Sequence, residues 1–482
     1  MHKRIVDQNG HSYSRGLLMA VMLFGAFFPI LNETVLATAY PKLMTYFNIN
    51  TSTVQWLTSA FLMVVGIMIP ISAWLMERIN TKTLFISTLV IFEIGTILAW
   101  HAPNFGTLLA ARIIQAMATG VLMPLFQTVI FNIYPKGERG VAMGLGGLVM
   151  GLAPAIGPTL SGWIIDNARW QDLFSINTAP IAAAIICAIF LFKPVLPVHK
   201  AKIDYLSVVF STVGFGSMLY GFSSVGQNGR GSPVVLTTLL VGIIFTILFV
   251  WRDLKTKYPL VDLSVFRSFK FDLGTAIASL AMMGLVGFEM ILPLYLQTVR
   301  GDNAFHSGLT LLAGALTIGL ISPVTGKIFD KYGARYLCIS GFFLMGVGTL
   351  PFIFLTKDTP VLYLVVLYAV RSVGIAMSLM TITTYSLNDL PTSNVNNGSS
   401  ALNTVRQIAS SIATAVLTSV LSNVTKNATP SKHLLTTDPL RYKSSMIHAA
   451  LSGYHAAFIV ALAFCVIGFI ATFWVRNKKE VA

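Results

Sequence analysis

"PISAWLMERINTKTLF" at residues 70–85 and "PVTGKIFDKYGARYLC" at residues 323–338 decide how this chain is built. Each opens with a proline at the end of an apolar run and passes into a tight charged loop. Set in register, Ala73 stands against Gly326, Glu77 against Asp330, Arg78 against Lys331, Asn80 against Gly333 and Lys82 against Arg335. The copies lie 253 residues apart. Chance supplies one acid–base pair easily, and a whole set in register far less easily. A second element repeats at nearly the same offset: Arg112 in "LLAARIIQAMATG" and Arg371 in "VLYAVRSVGIAMS" are 259 residues apart. A parallel repeat of this size is the signature of two bundles of transmembrane helices.

Composition agrees. Of 482 residues, 55% are hydrophobic and 11% charged, against roughly 25% charged in a soluble domain. The apolar residues fall into about fourteen segments of about 20 residues, each long enough to cross a bilayer as a helix. The expected fold is an all-α membrane protein with two six-helix bundles and two additional spans. The expected parts are residues 1–198 for the N-terminal bundle, 199–267 for the two inserted spans with their linkers, and 268–482 for the C-terminal bundle. The first span, after "MHKRIVDQNGHSYSRG", is too long for a signal peptide and has no cleavage pattern, so it is expected to be retained.

The net charge of +15 would suit a nucleic-acid binder, but topology explains it better. Lys and Arg gather in alternate loops ("MERINTKT", "YPKGERG", "KPVLPVHKAK", residues 251–272 and the tail "VRNKKEVA"). By the positive-inside rule these loops and both termini are cytoplasmic, in a multi-pass protein of the cell membrane. The longest loop on the other side is expected from Ser422 to Tyr454, with Asn423 and Asn427 in glycosylation-type triplets. Cys187, Cys338 and Cys465 fall in spans and form no C-x-x-C pair, which suits inert buried thiols. The sequence has no G-x-x-x-x-G-K-S/T phosphate loop and no metal-ligand cluster, so neither ATP, metal nor another cofactor is expected and an enzyme is not indicated.

Chemistry is expected where ionisable residues interrupt the spans. A charged side chain at membrane depth costs at least ~2.5–3.5 kcal/mol and usually faces the bundle interior. The candidates are Glu33, Glu93, Arg112, Glu289, Arg371 and Arg406. Burial favours the protonated form of a carboxyl and a nearby arginine favours the ionised form. A carboxyl between these influences exchanges protons near neutral pH, and a cation entering the same site displaces the proton. Glu33 either serves this role or lies wet near the mouth. Shifted by the repeat offset it falls near Val286, one turn from Glu289, so the two acids can face one cavity. Arg112 needs a partner, either Glu33 or Asn32 with Gln115, and a static interhelical tie is the plainer reading. Arg371 either joins the cavity or organises its bundle. Trp56, Phe61, Met63, Phe288 and Met290 could line a promiscuous pocket or simply pack. Glu77, Arg78, Lys82, Asp330, Lys331 and Arg335 are expected to latch the bundles at the loop side. Gly151, Pro154, Gly157, Pro158 and Gly162 mark close helix packing with kinks.

These motifs carry a family resemblance. "AWLMERINTK" resembles the loop motif G-x-L-a-D-R-x-G-r-k of the major facilitator superfamily, with Ala73 and Asn80 in place of its glycines and Glu77 for its Asp. "GLAPAIGPTLSG" (151–162) is similar to the superfamily's antiporter motif, and "LAARIIQA" to its fourth-span arginine motif. "LNETVLATAYP" (31–41) resembles L-D-x-T-v-v-n-v-A-L-P of the fourteen-helix drug:H+ antiporters, with Asn32 where that family has Asp and Glu33 following. The resemblance implies proton-coupled export of lipophilic, often cationic, small-molecule drugs by a protein embedded in the lipid bilayer, expected as a monomer with no nucleic-acid partner. It also implies that the antiporter-motif residues Gly151, Pro154, Gly157, Pro158 and Gly162 help seal the exporter against leaks. The alternatives are export of a metabolite or lipid-like anion held by Arg112, or a non-transporting membrane sensor.

Overall fold

The computed structural model describes residues 12–198, 202–229, 231–431 and 433–476. Residues 1–11 and parts of the basic segments named above, at 199–201 and 477–482, lie outside the described residues. Among the described residues, fourteen helices are long and apolar enough to span a membrane. In chain order they are α1 (Arg15–Val35), α2 (Thr51–Arg78), α3 (Thr81–Trp100), α4 (Phe105–Ile133), α5 (Arg139–Asn167), α6 (Asp172–Leu191) and α7 (Tyr205–Asn228). There follow α8 (Pro233–Lys255), α9 (Phe269–Tyr295), α10 (Ala304–Tyr332), α11 (Ala334–Thr349), α12 (Val361–Asn388), α13 (Val395–Ala428) and α14 (Pro439–Thr472). With an even number of spans, both ends of the described chain lie on one face, called here the termini face.

Local sequence sets where these helices begin. Asn50, Asn80, Asn104 and Asn303 each accept the N–H of the residue three positions on, at 2.8 to 2.9 Å. Each thereby satisfies a backbone donor that the first helical turn leaves open. This accounts for one departure of the first loop copy. Asn80 caps α3 from an extended backbone, whereas Gly333 turns the second copy with φ +79°, where glycine is favoured.

Helices α1–α6 form one bundle and α9–α14 the other. They meet in pseudo-symmetric pairs, α5 with α10 and α2 with α13. The pairs are not equally tight. Along α5/α10 a Cβ added at Gly140, Gly144 or Gly326 would lie 2.5, 2.4 or 2.2 Å from a backbone carbonyl oxygen of the facing helix. Contact continues through Gly151 against Ile318 to Gly308 beside Thr159. Lipid tails are as apolar as leucine, so association depends on such van der Waals fit, and small residues permit it. The looser pair α2/α13 tolerates Ala73 where α10 has Gly326. Ser72 and Ser400 hydroxyls meet there at 3.0 Å, and the helices part beyond Gly66 and Gln407.

Helix α7 fills the gap. Leu219 reaches Gly66, Ser223 meets Ser59 at 2.9 Å, and Tyr220 stacks on Trp56 at 5.3 Å between centroids. Its other flank packs on α13 through Val225 and Ala415. Helix α8 pairs with α7 and is otherwise mostly exposed, the pattern of a lipid-facing helix. At the termini face Arg252 bonds Asp204 at 2.8 Å and holds that carboxyl below its ordinary range. Asp253 accepts the N–H groups of Leu260 and Val261. Asn397 accepts the N–H of Asp262 at 2.9 Å, which ties the linker to the start of α13.

The expected loop from Ser422 to Tyr454 is a correction. Helix α13 runs to Ala428 and α14 begins at Pro439, with a short helix His433–Thr437 between. Polar residues end the hydropathic span near Ser422, but they do not end the helix, because its polar face continues along the central cavity.

Candidate functional site

A cavity of about 1490 Å³ lies between the bundles. Along α13 its wall begins at Asn403 and Arg406 and runs to Lys426, with Thr429 just past the helix end; on the first bundle it reaches Tyr40 and Pro41. It therefore runs from mid-depth to the face opposite the termini. At the termini face the bundles are closed. Gln127 Oε1 accepts from Ser399 Oγ at 2.5 Å and Asn403 Nδ2 at 2.7 Å, directly beneath the cavity.

Three consecutive residues of α1 show how Glu33 reaches it. Arg112, fully buried, donates from Nη1 to Asn32 Oδ1 (2.5 Å), the Asn32 carbonyl (3.2 Å) and Gln115 Oε1 (2.9 Å), with its guanidinium 4.1 Å from the Phe61 ring centroid. Gln115 in turn donates to Thr96 Oγ1 at 3.0 Å. Thr34 donates to the Pro154 carbonyl at 3.0 Å. That oxygen loses its helical partner because Pro158, four residues on, has no N–H. Successive residues on a helix point about 100° apart. With Asn32 committed to Arg112 and Thr34 to α5, Glu33 is turned into the cavity, which it lines.

Glu289 lines the same cavity from α9. Among the described residues, neither carboxylate accepts a hydrogen bond or forms an ion pair within 4 Å. Arg371 is the C-terminal analogue of Arg112: fully buried, donating to Thr349 Oγ1 at 3.2 Å and to the Gly284 carbonyl, 4.1 Å from the Phe288 ring. Of Arg112's two sequence-level partners, Asn32 with Gln115 is the one present. Neither arginine touches the cavity, so neither is placed to hold an anionic cargo.

The polar and aromatic candidates divide likewise. Met63 and Met290 line the cavity. Phe61 and Phe288 do not: both are fully buried beneath the arginines, where Phe288 also packs on Phe352, Tyr368 and Phe458. Asn32, Gln115 and Arg371 are buried behind the wall, and Trp56 sits on the α2/α7 contact. Of the two readings open for Phe61 and Phe288, pocket lining or packing, the structure shows packing, and a buried guanidinium is stabilised by a ring face. Glu93 is buried on α3 away from the cavity.

At the termini face the two loop acids cross between bundles. Asp330 accepts the N–H groups of Gly140 (2.7 Å) and Val141 (2.9 Å) at the start of α5. Glu77 accepts from Asn396 (2.8 Å) and Asn397 (3.2 Å) at the start of α13. The contacts of the two lysines each stay within one bundle. Lys82 donates to the Ile189 carbonyl in its own bundle, Lys331 lies over the neighbouring Tyr332 ring, and Arg78 and Arg335 are exposed at that face. Arg139 adds a bond to Asn388 at 2.7 Å. The composition signal for Asn396, Asn397 and Asn403 was present in the polar run "NVNNGSSALN" (394–403), which stands out inside an apolar helix. Gln127, Arg139 and Asn388 carried no comparable signal.

Asp330 meets a helix N-terminus with a charge, an arrangement stabilised by both hydrogen bonds and dipole. Asp330→Asn is expected to shift the protein toward opening at the termini face by about ten-fold, from the worth of one charge-assisted bond. The rate of maleimide labelling at Ser400→Cys, in a background lacking the three native cysteines, measures it. Glu77→Gln should have a smaller effect, since its amide partners can re-pair.

The Gly/Pro segment of α5 is two-sided. Gly151 packs on Ile318 of α10, while a Cβ at Gly157 would lie 2.2 Å from Thr34 Oγ1 on α1. Pro154 and Pro158 line the cavity between these faces. Gly162 is the exception to the expected close packing: a Cβ there meets nothing within 4 Å, because the bundles have already diverged at that height.

The sequence profile of the Major Facilitator Superfamily matches residues 22–414. The uncharacterized MFS-type transporter YcnB of Bacillus subtilis is 44% identical over 98% of this chain and 97% of its own length. The lincomycin resistance protein LmrB of Listeria innocua is 37% identical over 96% of this chain and 97% of its own. The crystal structure of the human organic anion transporter MFSD10 (TETRAN) superposes with a TM-score of 0.65 at 14% identity, covering 95% of this chain and 99% of that one.

Proposed function

The chain belongs to the major facilitator superfamily, a family of transporters, and we propose that it exports lipophilic, often cationic, drugs in exchange for protons. The observation that carries this reading is the placement of Glu33 and Glu289 on facing bundles, both unpaired, in one large cavity whose wall is otherwise mainly apolar and hydroxylic. Such a site can hold a proton or an organic cation and disfavours holding both. That mutual exclusion couples outward movement of one to inward movement of the other. The similarity to lincomycin resistance proteins supports a drug as cargo.

With both termini in the cytoplasm of a cell-membrane protein, the cavity faces outward here and the contacts of Asp330 and Glu77 form the cytoplasmic seal. Alternating access follows when one bundle rocks against the other about the midplane, breaking that seal and closing the opposite face. The proton gradient supplies the energy, with no ATP, metal or other cofactor, and one chain holds the whole cavity, so a monomer suffices.

Reconstitution into proteoliposomes with an imposed pH gradient tests this reading. Cationic dyes are expected to move against their own gradient when protons run the other way. Transport confined to anions, or indifferent to the pH gradient, would overturn it.

A further inference from the structure

Arg112, Arg371 and Arg406 each keep one buried nitrogen without a partner, and of the three Arg406 is the one that lines the cavity. It is 3% exposed and lines the cavity where the α13 wall begins. Its Nε has no partner. Nη1 reaches Asn403 Oδ1 at 3.4 Å and Nη2 reaches the Met282 sulfur at 3.5 Å, both long contacts for a group with five donors in a rigid fork. Among the described residues no carboxylate lies within 4 Å and no aromatic ring lies beneath it. Arg112 and Arg371 each have a ring face and closer acceptors. A desolvated guanidinium is costly at membrane depth, and this one borders the cavity with an unpartnered Nε.

We propose that Arg406 is a cargo-contacting residue at the closed end of the cavity and that it takes a carboxylate, or a comparably anionic oxygen, of the transported molecule. The guanidinium fork matches carboxylate geometry. Met282, which touches Arg406, is seven residues before Glu289 on the same helix, a rise of about 10 Å. A zwitterion of two or three rings spans that distance, with its cationic group toward Glu289 and Glu33 and its acid on Arg406. The inference rests on the drug-export reading and narrows it: cargo includes amphoteric compounds, not cations alone.

Rhodamine 110, a xanthylium cation with a free carboxylate, and rhodamine 123, its methyl ester, separate the two ideas. Binding to the purified full-length protein in detergent is read by fluorescence polarisation. Wild type is expected to prefer rhodamine 110. Arg406→Gln should weaken rhodamine 110 by about ten-fold, the worth of a charge-assisted hydrogen bond, and leave rhodamine 123 within about two-fold. An unchanged ratio of the two affinities in Arg406→Gln overturns the inference and leaves drug binding intact. A second measurement needs no variant: benzoate should displace rhodamine 110 from wild type at lower concentration than it displaces rhodamine 123, and equal displacement also overturns it. Wild type that binds neither dye overturns the drug-export reading and this inference with it.

Discussion

Glu33→Gln is expected to reduce pH-gradient-driven dye export in proteoliposomes to below about a tenth of the wild-type rate, because the amide keeps the shape of the side chain but cannot exchange a proton. Folding should survive. Glu33 bonds to nothing that holds the bundle together: Asn32 carries the contact with Arg112 and Thr34 the contact with α5. The substitution removes an ionisable group without removing a structural tie. Dye–dye exchange under zero pH gradient needs no net proton movement and should persist at reduced affinity. Glu289→Gln should show the same division from the other bundle. Wild-type pH-driven export by Glu33→Gln would move the coupling proton elsewhere, and loss of both exchange modes would make Glu33 a cargo ligand alone.

Gly144→Val acts on the fold. A Cβ at this position lies 2.4 Å from the Ser322 carbonyl oxygen and 3.1 Å from Pro323 Cα, both backbone atoms that cannot swing aside. Valine adds two methyl groups to that clash, so α5 and α10 must separate. The cost is expected to be about 3 kcal/mol or more, at the upper end for overpacking a rigid interface. It should appear as a lower melting temperature and loss of monodispersity in detergent, with transport lost as well. Gly162→Ala is the matched control on the same helix: with no atom within 4 Å of its Cβ, it should melt like wild type. Equal stability of both variants would remove the α5/α10 seam as the fixed contact between the bundles.

The site was legible in unequal parts. Ionisable residues in apolar spans stand out because the bilayer makes them costly, and that cost located Glu33, Glu289, Arg112 and Arg371. Their roles divided on direction, which spacing alone does not supply. One step along α1 separates a residue that ties helices from one that lines the cavity, and Asn32 and Glu33 are neighbours. Arg406 shows the converse, since nothing in the sequence distinguishes it from Arg371. Phe61 and Phe288 could be read as pocket or packing residues, and the guanidinium above each decides for packing.

By itself the sequence determined the membrane class, the fourteen spans and the duplicated halves, because a bilayer imposes span length and the repeat preserves its loop pattern. It also marked Gly326 and Gly333 as the better-kept copy of the loop motif. Only the tertiary structure decided that α5 and α10 are in continuous contact while α2 and α13 part and admit α7. The reason is that backbone approach depends on glycines of two distant segments, Gly140 and Gly326, being brought face to face.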